Sequence, residues 1–268
     1  MPAAAVAAVL FLAAVAVTPM AVINRLLKMG VDVNHQLTRK RPYGNGRDRF
    51  TDYDMRGGVG PLFLASMYYD HETMEALIKH GAEVDLVNVF QMTPLMYAVG
   101  MSGTAQPSPM SDAQTANAIK SVEILQNAGA NINARIRDSR TRTAVVMSFV
   151  VGRDQQGRTA LMGATENGSA KMVQYLIDHG ADVTAKDATD KTALDLSREP
   201  CPGPGLKGNQ QQKEACERLM TGRAATETVL VAAMMKAGLH VPPPAAQPTE
   251  PTVGAESNTA ASEERLRC

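Results

Sequence analysis

The chain has no tryptophan, and its five phenylalanines and six tyrosines make up only 4% of 268 residues. With so few rings, the core must be filled by small aliphatic side chains and by methionine, of which there are 16. The scarcity of aromatic residues also argues against a stacking platform for nucleobases. The 27 basic residues balance the 27 acidic ones, so the net charge of the whole chain indicates no particular class of partner.

Cysteine is almost as scarce, with Cys201, Cys216 and Cys268 as the three positions. Their spacing matches neither a zinc-ligand motif nor a c-type haem site. Cys201 and Cys216 flank a loop rich in glycine and proline, which they could close with a disulfide in an oxidising compartment. In a reducing compartment both would remain thiols. The sequence leaves both states open, and with them a cytoplasmic or an exported location.

The usual signatures of an enzyme are missing or incomplete. A G-x-G-x-x-G pattern occurs at Gly203–Gly208, but it follows no strand and two prolines interrupt it. His71–Glu75 resembles the zinc motif H-E-x-x-H but ends in glutamate. No serine lies in a nucleophile elbow. We therefore expect no enzyme activity, no catalytic, cofactor-binding or metal-binding residue, and no small-molecule substrate.

The chain does contain a recurring unit, in which a threonine or glycine opens a helix and a later glycine closes one. The openers are Gly60, Thr93, Thr159 and Thr192, and the closers are Gly30, Gly81, Gly129 and Gly180. Each closing glycine precedes a small polar tetrapeptide: VDVN, AEVD, ANIN or ADVT. The uninterrupted spacings are 21 residues from opener to closer and 12 from closer to opener, which give a period of 33.

The residue types suit these positions. The hydroxyl groups of Thr93 and Thr159 can cap a helix N-terminus, and Pro94 stands at the first helical position, where its missing N–H costs nothing. The apolar residues of Met172–Ile177 recur at helical spacing. Gly180 can adopt the left-handed conformation just after a helix end. Each unit is thus predicted to be two short helices that are stable only when stacked on neighbours.

A 33-residue period of one turn and two helices resembles the ankyrin repeat. The matching segments are T-P-L-M-Y-A at Thr93–Ala98, T-A-L-M-G-A at Thr159–Ala164, and L-I-x-H-G-A at Leu77–Ala82 and Leu176–Ala181. The resemblance implies an all-α solenoid of helix-turn-helix pairs with β-hairpin fingers. It also implies a non-catalytic scaffold or adaptor that binds another protein through its concave face.

The spacing predicts an ankyrin-like domain over residues 1–238 with about five repeats. The repeats are expected near 9–34, 60–85, 93–133, 159–184 and 192–238, with insertions at 35–59, 101–115, 135–158 and 199–222. Residues 241–268 are rich in proline and poor in large apolar side chains, which predicts a disordered tail. No Lys or Arg precedes the apolar stretch Ala3–Ile23 and Pro19 interrupts it, so it fits the first repeat better than a signal peptide or a transmembrane span.

Two of the insertions concentrate positive charge. Residues Gln36–Arg56 carry a net charge of +3 and Ala134–Arg158 a net charge of +4, almost entirely from arginine. A planar guanidinium suits bidentate binding of a carboxylate or phosphate. The candidate partner-binding residues are Arg39, Arg41, Arg47, Arg49, Arg135, Arg137, Arg140 and Arg142.

These arginines favour a protein partner with an acidic segment, although charged loops can also serve solubility alone. A second hypothesis is an accessory or inhibitory subunit of a larger enzyme or exported system. Nucleic-acid binding ranks lowest, because the arginines are not interleaved with aromatic residues and the chain is not basic overall.

Overall fold

The computed structural model describes residues 19–37, 58–101, 107–137, 155–201 and 209–244. Within these ranges the chain forms nine helices and no strand. The helices are α1 Pro19–Lys28, α2 Pro61–Met67, α3 His71–Lys79, α4 Pro94–Ala98, α5 Asp112–Asn127, α6 Ala160–Glu166, α7 Ala170–Asp178, α8 Ala193–Ser197 and α9 Gln210–Lys236.

The helices pair and stack as an all-α solenoid. Four pairs follow one another along the chain: α2 with α3, α4 with α5, α6 with α7, and α8 with α9. First helices contact first helices, in the order α2, α4, α6, α8, and second helices contact second helices, in the order α1, α3, α5, α7, α9. Each unit therefore buries its apolar face only against its neighbours, as the repeat pattern predicted.

The predicted helix ends are confirmed. The hydroxyl oxygens of Thr93, Thr159 and Thr192 each accept a hydrogen bond from the main-chain N–H three residues later. The closing glycines, from Gly30 to Gly238, have φ between 67° and 93°. This is the left-handed region, where a residue with a Cβ atom is disfavoured.

The core is built mainly from aliphatic side chains and methionine, as the composition predicted. Met74, Met92, Met96 and Met162 are all almost fully buried between the helices. One aromatic pair, Phe63 with Tyr97, joins α2 to α4 with ring centroids 4.3 Å apart. Flexible thioethers fill the irregular gaps that larger rings would fill in other proteins.

The second helices differ from prediction in length. Helix α5 begins at Asp112, inside the predicted insertion 101–115, and α9 runs without interruption through the second half of the predicted insertion 199–222. Ser111 and Asn209 start these helices early because each forms a capping box. The buried residues of α9 continue at spacings of three and four along its length: Cys216, Leu219, Arg223, Thr226, Leu230 and Met234.

One buried arginine fixes α9 on the stack. Arg223 is 1% exposed, and its Nε donates to the carbonyl oxygen of Glu166 at 3.0 Å. Its Nη1 donates to the carbonyl oxygens of Glu199 at 2.9 Å and Pro200 at 3.2 Å. A single side chain thus binds the C-terminal ends of both α6 and α8, which explains why the extra helical turns remain aligned with the repeat.

The fingers are the turns between a closing glycine and the next opening residue. We number them along the chain as the first (30–60), second (81–93), third (129–159) and fourth (180–192) finger. The prediction of β-hairpins was wrong for the described parts of the fingers, which contain no strand. In the second finger, hydrogen bonds from the N–H of Asn88 to the carbonyl of Met92, and from Gln91 back to Asn88, close a turn too short for a strand ladder.

No helix among the described residues is both long and apolar enough to cross a membrane. The predicted tail lies beyond the described residues except for its first four positions, 241–244.

Candidate functional site

The finger edge is held together by asparagine side chains that reach from one unit to the next. Asn34 donates through Nδ2 to the carbonyl of Gly81 at 3.3 Å and accepts from the N–H of Glu83 at 2.8 Å. Asn133 makes the same pair of bonds with Gly180 and Asp182, at 3.0 and 2.8 Å. Each asparagine satisfies both groups of its amide, so neighbouring fingers are kept in a fixed register.

The two long fingers are closed at their bases in the same way. The N–H of Leu37 donates to the carbonyl of Val59 at 3.0 Å, and the N–H of Gly58 donates back to Leu37 at 2.9 Å. In the third finger, Ile136 makes the corresponding bonds with Arg158 at 3.1 Å and Gly157 at 2.7 Å. Residues 38–57 and 138–154, between these closures, lie outside the described residues.

A side chain next to each closure clamps the long finger to the following one. Gln36 donates through Nε2 to the carbonyls of Gly58 at 2.6 Å and Val87 at 2.8 Å. Arg135 occupies the corresponding place, with Nε donating to Gly157 at 3.1 Å and Nη2 donating to the carbonyl of Lys186. Of the predicted partner-binding arginines, Arg135 is therefore already engaged with the main chain.

These matches follow from a repeat longer than 33 residues. Gln36 and Arg135 are separated by 99 positions, as are Gly58 and Gly157. The closing and opening residues obey the same offset, for example Gly81 with Gly180. The array is thus a tandem of two double units, each with one long and one short finger. The constant 99-residue offset is visible in the sequence, but a period of 33 residues does not reveal it.

The second double unit replaces apolar and neutral residues with charges. The counterparts of Val59, Met67 and Asn88 are Arg158, Glu166 and Asp187, respectively. Nη1 of Arg158 lies 2.5 Å from Oε2 of Glu166, and Nε of Arg158 lies 3.5 Å from Oδ2 of Asp187. The exposed fractions of these three residues are 7%, 4% and 8%. We call them the buried ionic cluster.

The environment of Asp187 favours its charged form. Burial by itself would raise the pKa of this carboxyl group, but hydrogen bonds from Thr189 and Lys191 and the charge of Arg158 together hold the pKa below its usual value. The folded state therefore favours the charged form of Asp187. The buried ionic cluster lies beneath the third and fourth fingers and links them to α6.

Above this cluster the second, third and fourth fingers surround a concave groove of about 850 Å³. Its lining includes Asp85 and Gln91 from the second finger, Arg135 and Arg137 from the third, and Asp187 from the fourth. None of the described lining residues is aromatic. The groove lies on the finger edge, its lining mixes charged and amide side chains with aliphatic ones, and its volume is in the size range of ligand-binding clefts.

Residues 113–187 match the family described as ankyrin repeats, in three copies. The paired helices, closing glycines and stacked order described above agree with that match. This chain contains ankyrin repeats. Ankyrin repeats generally mediate protein–protein interaction, and the family is typically non-catalytic.

The chain is also similar to human Rabankyrin-5, with 24% identity over 190 residues. The similarity covers 64% of this chain but only 14% of the relative.

The remaining arginines of the ankyrin array differ in what they can bind. Arg158, which contributed to the +4 of the third finger, is buried and ion-paired, so its charge does not reach a partner. Arg137 is exposed, and among the described residues it has no hydrogen-bond or ion-pair partner. The other candidates lie outside the described residues and stay predictions: Arg39, Arg41, Arg47, Arg49, Arg140 and Arg142.

The candidate metal and nucleotide motifs have different outcomes. Nε2 of His71 lies 3.0 Å from the carbonyl oxygen of Asn117 and 3.1 Å from Oγ of Ser121, so this histidine links α3 to α5. Among the described residues, no group of three or more His, Cys, Asp or Glu side chains is placed to hold a metal ion. The glycines of Gly203–Gly208 lie outside the described residues.

Cys201 and Cys216 are placed as a pair at the end of the array. Their Cα atoms are 5.7 Å apart, within the range of protein disulfides. Because their oxidation state depends on the compartment, the bond stays a prediction. After exposure to air at low protein concentration and labelling in urea, we expect one reactive thiol per chain, that of Cys268, and three after reduction. Cys201→Ser should then expose Cys216 to the label; three reactive thiols in the oxidised parent would contradict the pairing.

Proposed function

We propose that this ankyrin array is a non-catalytic scaffold or adaptor that binds an acidic segment of another protein along its concave face and finger edge. The observation that carries the proposal is the pair of arginine-rich long fingers, which are equal in length and closed at equivalent positions two units apart. Positive charge concentrated on one edge of a neutral chain attracts an anionic partner and orients it during encounter.

The clamps at the finger bases support this proposal. Gln36 and Arg135 tie each long finger to the main chain of the next finger. The loops therefore start from a fixed point, which reduces the entropy lost when a partner binds them. Arginine suits such a site because its guanidinium can form two parallel hydrogen bonds with a carboxylate.

The test compares two variants with the same change in net charge. In the first, Arg47, Arg49, Arg140 and Arg142 are all replaced by Ser. In the control, four cations exposed on second helices are replaced by Ser: Lys28, Lys79, Lys120 and Arg218. The probe is a labelled peptide of alternating Glu and Ala, and its affinity is measured by fluorescence anisotropy at low and at physiological salt.

We expect the finger variant to bind the peptide at least about tenfold more weakly than the parent at low salt, which corresponds to about 1.4 kcal/mol. The control variant should stay within about twofold of the parent, and salt should weaken binding to the parent because exposed charge pairs are screened. Equal losses in both variants would mean that only net charge matters. Tighter binding of single-stranded oligothymidine than of the peptide would favour the nucleic-acid hypothesis instead.

A further inference from the structure

We propose that the groove between the second, third and fourth fingers holds an extended segment of the partner, by bonding the main-chain N–H and C=O of one of its residues to Asp85 and Gln91 and an acidic side chain to Arg137. This inference rests on the proposed function and specifies how the partner is recognised. It assigns the contacts to described residues of the groove rather than to the long loops.

Two residues that line the groove, Asp85 and Gln91, each have one buried polar atom without a hydrogen-bond partner. Oδ2 of Asp85 accepts a hydrogen bond from the N–H of Asn131 at 3.0 Å, but Oδ1 of the same carboxylate is buried without a partner. Nε2 of Gln91 is also buried without a partner. Leaving such a group unpaired costs about 1–3 kcal/mol, so native proteins rarely keep one without a reason.

These two unpaired atoms are complementary to the main chain of a peptide. Oδ1 of Asp85 is an acceptor and Nε2 of Gln91 is a donor, and both residues line the groove. In an extended chain the N–H and C=O of one residue point to the same side, so they can pair with these two groups together. An extended segment presents such pairs of groups at regular intervals and exposes them on its edges.

The backbone conformation of Gln91 is a property of the finger turn, but its unpaired side-chain donor is not. Gln91 has φ of 60°, and its counterpart in the fourth finger, Asp190, has φ of 63°. The left-handed conformation therefore belongs to the finger turn and does not indicate a ligand. The side chains differ. Asp190 is exposed, and its Oδ1 lies 3.9 Å from Nζ of Lys186. The amide nitrogen of Gln91 is buried and has no hydrogen-bond partner. The unpaired donor is thus particular to the second finger.

The polar groups of the groove suit a polypeptide better than a nucleic acid. A phosphodiester backbone offers only acceptors, so it would leave Oδ1 of Asp85 unpaired and place negative charge beside this carboxylate. The described lining residues also include no aromatic side chain on which bases could stack. A polypeptide supplies the required N–H. Arg137 is exposed and has no partner within the part of the chain that the structure describes, so its guanidinium is available for a carboxylate on the same segment.

The test uses the full chain and a displayed library of random linear peptides. The most enriched peptide is synthesised, and its affinity is measured by calorimetry for the parent, Gln91→Glu, Arg137→Ser and the matched control Asp190→Ala. Circular dichroism checks that each variant keeps its helix content. We expect enriched peptides to contain Asp or Glu, and Gln91→Glu and Arg137→Ser each to lower the affinity about tenfold or more. Asp190→Ala should bind as the parent does.

A scan of the peptide with N-methylated amides tests the main-chain contact directly. One position should lose about tenfold in affinity, because methylation removes the N–H that Asp85 accepts. A flat scan, or unchanged affinity in Gln91→Glu, overturns the groove assignment. If Gln91→Glu leaves the affinity unchanged but replacement of Arg47, Arg49, Arg140 and Arg142 by Ser abolishes binding of the same peptides, the groove assignment fails and the proposed function survives. Enrichment of peptides without acidic residues, or no enrichment, overturns both.

Discussion

Replacing Glu166 by Met is expected to lower the free energy of unfolding by about 3–5 kcal/mol, the usual loss when one partner of a buried ion pair is removed. The substitution leaves Arg158 buried at 7% exposure, with Asp187 as its remaining carboxylate neighbour at 3.5 Å. Methionine fills most of the volume of glutamate and stands at the equivalent position, Met67, in the first double unit. The loss would therefore come from the Arg158 charge, which keeps only the longer contact with Asp187, rather than from a cavity.

The first double unit also supplies the matched control. The triple variant Arg158→Val, Glu166→Met and Asp187→Asn reproduces the residues found 99 positions earlier. Replacing a complete buried ionic group with residues that pack well is often neutral or stabilising. We expect the triple variant to be at least as stable as the parent in urea unfolding followed by circular dichroism. Additive losses in the triple variant, or a loss below about 1 kcal/mol in Glu166→Met, would contradict this account.

The same variants predict a difference in acid. The pKa of Asp187 is lowered in the folded state, so this carboxyl group stabilises the fold above its unfolded pKa of about 4 and loses that contribution as the pH falls through the lowered value. The triple variant lacks the group. Its stability should therefore decline less than that of the parent as the pH is lowered below about 4.

Replacing Gly222 by Ala is expected to destabilise the protein by about 2 kcal/mol, although alanine is normally favoured over glycine inside a helix by about 1 kcal/mol. A Cβ atom at this position would lie 2.5 Å from the carbonyl oxygen of Gly168, in the turn between α6 and α7. Because the obstructing atom belongs to the backbone, no side-chain rotation can relieve the contact. Helix α9 would have to move away from the stack.

The control for this second prediction is Thr221→Ala, an exposed position on the same helix. It should be neutral or slightly stabilising, since it changes helix propensity without adding a contact. Both variants can be compared by urea unfolding, and hydrogen exchange should show reduced protection in α9 of Gly222→Ala. Greater stability of Gly222→Ala than of the parent would show that α9 is not held at this distance.

The helix ends could be predicted from the sequence because their chemistry is local. Thr159 and Gly180 each act within one or two turns of their own helix, so the residue type and the 21-residue spacing were sufficient. The start of α9 was harder to predict. The CPGPG segment indicated a loop, and the capping box at Asn209 gave no sign that the helix continues to Lys236.

The candidate site was less predictable because it depends on which residues face the next unit. Arg135, Arg137 and Arg158 lie in one short stretch of arginine-rich sequence and contribute equally to its charge. In the fold, one clamps the main chain, one is free and one is buried in an ionic cluster. Counting charges cannot separate these roles, because burial is decided by residues more than 20 positions away, such as Asp187.

The pairing of units in the array determines the order of long and short fingers along the finger edge. Each 99-residue segment brings one long finger followed by one short finger, and the clamps at Gln36 and Arg135 bind each long finger to the short one that follows. The base of each long finger is therefore bonded to the short finger that follows it. The bases of the two long fingers are therefore held two units apart with the second finger between them, and a partner that contacted both would have to cross the second finger.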